Sequence, residues 1–164
     1  MALTAERLRE RLDYDPDNGV FTWRFTRGRA KEGAVAGCIC PTYGYRMIGL
    51  DGVVYRAARL AWLYMHGEWP PDEIDHCNHN RADDSWTNLR NANRTQQQAN
   101  RGRQKNNTSG FKGVTFHAET GKWRARVVAG RRTTSLGLHE TAEQAHQAYV
   151  RAAHRIHREF AAEQ

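Results

Sequence analysis

A chain of 164 residues with 39% hydrophobic and 26% charged residues has room for one ordinary domain or two small ones, and its composition is compatible with folding rather than disorder. Its net charge of +7 is unevenly placed: between Arg90 and Arg132 eleven Lys and Arg accompany one acid, Glu119, so this stretch carries +10 and the remainder sums to −3. Such concentrated positive potential suits a phosphate backbone whose counterions are released on contact, although a charge imbalance alone also describes a solvated basic face.

In chain order, Thr4 opens a short helix with Leu8 and Leu12 one turn apart, running into the turn residues Asp15, Pro16, Asp17, Asn18 and Gly19. Val20, Phe21 and Trp23 form a strand-like run. Residues 43–50 and 53–55 flank Asp51-Gly52, a dipeptide that tolerates the positive φ angles of a tight hairpin. Ala57–His66 reads as a helix, with Gly67 as its stop and Pro70-Pro71 beyond.

The stretch 74–98, IDHCNHNRADDSWTNLRNANRTQQQ, concentrates the chemistry. Asp75 offers a carboxylate for a hard cation, and adjacent His76 offers an imidazole able to take a proton from water, the pairing that metal-assisted phosphodiester hydrolysis requires. Ile74 and Asn88-Leu89-Arg90 suggest two short strands around an irregular loop. Thr95 and Gln98 make a capping box, which starts a helix with Gln97 in its first turn. The order strand, loop, strand, helix can bring Asp75 and His76 to face Gln97. Asp83 and Asp84 read as loop residues, with Asp84 within range of a metal's outer shell.

Residues 102–110 are polar and read as a linker. Beyond them Val114 and Phe116 alternate with Thr115 and His117, and Trp123, Ala125 and Val127 alternate with Arg124 and Arg126, both at the strand period of two. Each strand thus buries its apolar row and exposes the polar one. A third strand is expected at residues 133–138. Thr141 and Gln144 form another capping box, after which Ala145, Ala148, Tyr149, Ala152, Ile156 and Phe160 recur at helical spacing and form the face laid on the sheet.

Three cysteines, Cys38, Cys40 and Cys77, are odd in number and follow no signal-like or membrane-length apolar run, so they read as reduced thiols. Zinc held by Cys38, Cys40, Cys77 and His79 is disfavoured by the single-residue gap of Cys-Ile-Cys, since zinc knuckles space their ligands by two to four residues. His79, His117, His146, His154 and His157 read as non-catalytic.

These residues carry two resemblances. Asp75-His76, the pair Asp83-Asp84 and Asn88-Leu89-Arg90 resemble the pattern of HNH, or ββα-metal, endonucleases of the phage and intron-homing type, and YDPDNGVFTWR and RLAWLYMHGEWPP resemble the front half of those nucleases. The tail, SGFKGVTFHAETGKWRARV through LGLHETAEQAHQAYVRAAHR, resembles the ethylene-response-factor-type DNA-binding domain of plant transcription factors. The first resemblance implies that Asp75 ligates a divalent metal, His76 is the general base and Asn88 holds the hairpin loop in shape. The family's asparagine ligand in the helix falls on Gln97, whose extra methylene moves the amide oxygen by roughly a bond length and adds a rotor, so the site is re-shaped or its ligation weakened. Ala58 in YRAARLAW also stands where relatives often carry histidine. The second resemblance implies a three-stranded sheet laid into the DNA major groove.

Together these readings give an α+β chain: a small ββα-metal nuclease core with N-terminal hairpin and helix elements over residues 1–101, a linker at 102–110, and over 111–164 a three-stranded antiparallel sheet packed on one helix. The expected function is a metal-dependent DNA endonuclease, phage-encoded or of the homing type, using one Mg²⁺ or Mn²⁺ held by Asp75 and Gln97. Candidate DNA contacts are Arg90, Arg94, Arg101, Arg103, Lys105, Lys112, Thr115, His117, Arg124, Arg126 and Arg132. The expected partner is double-stranded DNA, with no membrane, a monomer favoured, and a cytoplasmic setting in a bacterium or phage-infected host. A DNA-binding regulator with a degenerate nuclease core is the alternative, supported by Gln97.

Overall fold

The computed structural model describes residues 3–26, 28, 30–100, 102, 107–157 and 160–161. The chain divides into two compact units, residues 1–92 and 93–164. Each is a mixture of α and β.

In the first unit, helix α1 (Ala5–Arg11) begins at Thr4, whose hydroxyl accepts the Arg7 amide at 3.2 Å, a cap worth about 1 kcal/mol. The helix does not reach Leu12. That residue opens strand β1 (Leu12–Asp15), in which Leu12 and Tyr14 point inward and Asp13 and Asp15 outward. Leu8 and Leu12 satisfy helix spacing, but Leu12 and Tyr14 equally satisfy the strand period, and pairing with β2 (Val20–Trp23) settles the competition. A second sheet has the order β3-β4-β5, built from β3 (Cys38–Ile39), β4 (Arg46–Leu50) and β5 (Val53–Arg56), with Asp51 (φ 48°) and Gly52 (φ 83°) turning the β4–β5 hairpin. Helix α2 (Ala57–His66) follows and ends at left-handed Gly67.

The core joins Leu8, Leu12 and Phe21 from the N-terminal elements to Ile48 of β4 and Leu60 and Leu63 of α2, all essentially inaccessible. Each such side chain contributes about 1.5–3 kcal/mol by leaving water. Ala58 lies in this core at 3% exposure, where a histidine ring would not fit without rearrangement. Strand β6 (Glu73–His76) then pairs antiparallel with β7 (Leu89–Ala92), and the loop between them closes through a 3-10 turn, Trp86–Asn88. Trp86 fixes that loop to α2, its ring 5.6 Å from Trp62 and 5.3 Å from His66.

The second unit starts with helix α3 (Arg94–Asn100) and continues through β8 (Val114–His117), β9 (Lys122–Ala129), β10 (Arg132–His139) and α4 (Ala142–His157), the sheet having the order β10-β9-β8 with α4 packed on it. The α3 cap is two residues earlier than Thr95 and Gln98: Asn93 accepts the Gln96 amide at 3.0 Å and the Gln96 side chain returns to the Asn93 amide at 2.9 Å. Asparagine outcompetes threonine as an N-cap, which decides between two overlapping signals. At α4, Thr141 accepts the Gln144 amide at 3.2 Å. Residues 107–111 form a laced turn in which Ser109 Oγ donates to the Val114 carbonyl and Asn107 Nδ2 to that of Phe111, both at 2.9 Å.

The buried face comprises Val114, Ala125 and Val127 of the sheet and Ala145, Tyr149, Ala152 and Ala153 of α4. Phe116 and Ile156 depart from the expected burial, at 54% and 39% exposure. Phe116 lies on the edge strand and covers only part of its surface against half-buried Trp123, edge-on at 5.1 Å. Ile156 lies in the last turn of α4. Among the described residues no helix is long and apolar enough to cross a membrane.

Candidate functional site

The β6–β7 pairing places Asp75 directly opposite Arg90 and His76 opposite Leu89. Successive strand residues point to opposite faces, so the adjacent pair divides: Asp75 is partly exposed while His76 turns inward at 4% exposure. Arg90 reaches across the ladder to Asp75 Oδ2 with Nε at 3.0 Å and Nη2 at 2.9 Å. The charges lie mostly out of water, side chains 16% and 15% exposed, so the pair is screened less than a surface ion pair.

On the inner side, His76 Nε2 lies 3.0 Å from Asp84 Oδ1, and Asp84 is itself only 2% exposed. Asp84 Oδ2 is buried with no hydrogen-bond partner among the described residues. A buried unsatisfied oxygen costs about 1–3 kcal/mol, so a fully apolar pair would be the more stable solution here. The Tyr45 ring lies 5.8 Å from the imidazole.

The loop that carries Asp84 is fixed by its own amides. Asn88 Nδ2 donates to the Asp83 carbonyl at 2.7 Å, its Oδ1 accepts the Asn78 amide at 2.9 Å, and the Cys77 amide donates to the Asn88 carbonyl at 2.9 Å. Asp83 Oδ1 receives the Ser85 hydroxyl at 2.7 Å, the main cause holding the Asp83 carboxyl below its usual range. From the N-terminal hairpin, the Tyr14 hydroxyl donates to the Asp84 carbonyl at 2.7 Å, and burial followed by the nearby Asp84 charge pushes the Tyr14 phenol well above its ordinary value. No residue pattern announces the Asp84 contacts, because an eight-residue separation across an irregular loop carries no periodic signal.

Gln97 is half-buried in the first turn of α3, in the second unit, where its backbone N–H donates to the Asn93 carbonyl at 2.9 Å. Among the described residues no three His, Cys, Asp or Glu side chains converge as a metal cage, and Cys38, Cys40 and Cys77 remain thiols.

The second unit presents a separate surface. Cross-strand partners share a face, so Thr115 opposite Arg124 and His117 opposite Lys122 lie on the side of the sheet away from α4, together with Arg126, Val128, Thr133, Ser135 and Leu138. Arg126 is exposed and Arg124 partly so, forming with Lys122 a cationic row along the central strand. Val128 and Leu138, 54% and 42% exposed, add apolar groups beside it. His117 is half-buried, its Nδ1 2.9 Å from the Thr120 hydroxyl. Arg132 is exposed at the start of β10, and Arg94 is exposed at the start of α3. Lys112 differs: it is half-buried, donates to the Ala99 carbonyl, and burial lowers its ammonium to about 8. Arg101, Arg103 and Lys105 lie outside the described residues.

Residues 55–99 match the family model described as HNH endonuclease, and residues 109–159 match the one described as AP2 domain. The first match contains Asp75, His76, Asn88 and Gln97, and the second contains the whole three-stranded sheet and α4. No curated protein and no solved structure matches the chain.

Proposed function

We propose that this chain, which joins an HNH endonuclease segment to an AP2 segment, is a metal-dependent DNA endonuclease of the phage or mobile-element type whose C-terminal sheet supplies binding and whose β6–β7 hairpin supplies the cut. The observation that carries this reading is the divided pair on β6: a partly exposed carboxylate beside an imidazole held by a buried acid, within the HNH match. His76 takes the proton from a water directed at the scissile phosphorus. Asp75 and Gln97 are the proposed holders of one Mg²⁺ or Mn²⁺, and hard carboxylate and amide oxygens suit either ion. When bound, the cation supplies Lewis-acid polarisation of the phosphate and neutralises charge at the leaving 3′-oxygen. Asn88 keeps the 77–88 loop closed beneath the hairpin. Arg124, Arg126, Thr115 and His117, with exposed Val128 and Leu138 beside them, present charge, hydroxyl and apolar groups suited to phosphates, base edges and thymine methyls.

The test is nicking of supercoiled plasmid in Mg²⁺ or Mn²⁺ by wild type and His76→Ala, with duplex affinity measured in parallel. The expected result is cleavage by wild type alone and nearly equal affinity for both proteins. Equal loss of affinity and cleavage in His76→Ala would make His76 a structural residue.

A second reading, a DNA-binding regulator with a silent nuclease core, is favoured by Gln97 at the asparagine position and by the 4% exposure of His76. Wild type that binds duplex DNA and leaves plasmid intact with every divalent ion tried supports it.

A further inference from the structure

We propose that Asp84 is the positioning residue for His76, fixing its imidazole in the tautomer protonated at Nε2, and that the N-terminal hairpin turn at residues 16–19 is the support that fixes Asp84. This inference rests on the reading of His76 as the base.

An ionised carboxylate only accepts hydrogen bonds, so with Asp84 Oδ1 3.0 Å from Nε2 the ring proton belongs on Nε2 and the lone pair on Nδ1. In water both neutral tautomers interconvert. A buried acid that selects one of them removes that freedom before any substrate arrives, the role an orienting carboxylate plays behind a general base. The unsatisfied Asp84 Oδ2 supports a function beyond packing, since stability alone gives no reason to bury this oxygen.

The support comes from residues outside the 55–99 match. The Tyr14 hydroxyl holds the Asp84 carbonyl at 2.7 Å, and the Trp86 amide donates to the Pro16 carbonyl at 2.8 Å. Between these bonds Gly19, at φ 71°, lies flat on the Asp84–Ser85 peptide: a Cβ there would fall 2.2 Å from Asp84 C and from Ser85 N. Only a residue without a side chain permits that approach. From the other side, Asn88 holds the Asp83 carbonyl. Asp84 is therefore gripped by backbone contacts on both flanks, which leaves its side chain little choice but to meet the imidazole.

The experiment uses the full chain with ¹⁵N-labelled histidine, in wild type, Asp84→Asn and Tyr14→Phe. Long-range ¹H–¹⁵N correlations, recorded where the imidazoles are neutral, report which ring nitrogen of His76 carries the proton. Wild type is expected to show Nε2 protonated. Asp84→Asn is expected to show mixed tautomers, because an amide both donates and accepts, with kcat for plasmid nicking about 10–100-fold lower at unchanged KM. Tyr14→Phe is expected to move both readouts less, in the same direction. A wild-type ring protonated at Nδ1 overturns the proposal and requires no variant to fold. A wild type that cuts, with Asp84→Asn unchanged in ring pattern and rate, overturns the positioning alone. A wild type that cuts nothing while Asp84→Asn still loosens the tautomer overturns the nuclease reading and supports the positioning.

Discussion

Asp75 and Arg90 occupy one rung of the β6–β7 ladder, and that register sets a guanidinium against the carboxylate proposed to hold the cation. The guanidinium already donates twice to Oδ2, so a divalent ion held there as proposed would compete with a charge built into the protein. Arg90→Gln removes the competitor and is expected to tighten Mn²⁺ binding several-fold, read from the free-ion signal in electron paramagnetic resonance. Unchanged or weaker binding would make Arg90 a bystander to the metal. Gln97→Asn is expected to keep or raise metal-dependent activity, and Gln97→Ala to raise the Mg²⁺ needed for half-maximal rate. If neither changes the Mg²⁺ dependence, Gln97 is not a ligand. Lys112 offers a test by pH: burial brings its ammonium down to about 8 from 10.5, so the folded state binds fewer protons than the unfolded chain between those values and stability rises as pH increases across that window. Urea midpoints should show this rise in wild type and a flatter profile in Lys112→Met.

The elements differ in how far local sequence determines them. The β4–β5 hairpin is legible because Asp51-Gly52 supplies its turn, and α2 because its apolar spacing ends at Gly67. Competing local signals mislead elsewhere: Leu12 fits a helix and a strand, and Asn93 and Thr95 both offer caps. At the site, the types of Asp75, His76 and Asn88 point to the chemistry, but the partners Arg90 and Asp84 depend on register and on loop closure, which no residue spacing contains. The contribution of the β1–β2 hairpin is invisible in the sequence for the same reason, since its Tyr14 meets a peptide some seventy positions away. Gly19→Ala probes it. The positive φ costs about 1–2 kcal/mol for a residue with a Cβ, and the clash with the Asp84–Ser85 peptide adds to it, so a clear fall in urea midpoint is expected. A midpoint equal to wild type would show that the loop yields to the hairpin.

Across the whole molecule the two units have opposite electrostatic characters. Residues 93–164 contain 13 Lys and Arg against 5 acids, a net of +8, while residues 1–92 contain 12 against 13, a net of −1. Attraction to a polyanion therefore resides almost wholly in the second unit. Replacing Lys122, Arg124 and Arg126 together by Gln in the full chain should flatten the dependence of log affinity on log salt by roughly 0.9 for each phosphate no longer neutralised, and an unchanged slope would take the sheet out of the interface. On the proposed function, the charge division also makes cutting a question of effective concentration. With the second unit on a duplex, covalent linkage would hold Asp75 and His76 near phosphates at an effective concentration on the order of millimolar. Ionic strength would then act as a valve on the proposed cleavage: rising salt releases the basic unit, and the rate is expected to decline with the salt sensitivity of a unit that contains neither Asp75 nor His76.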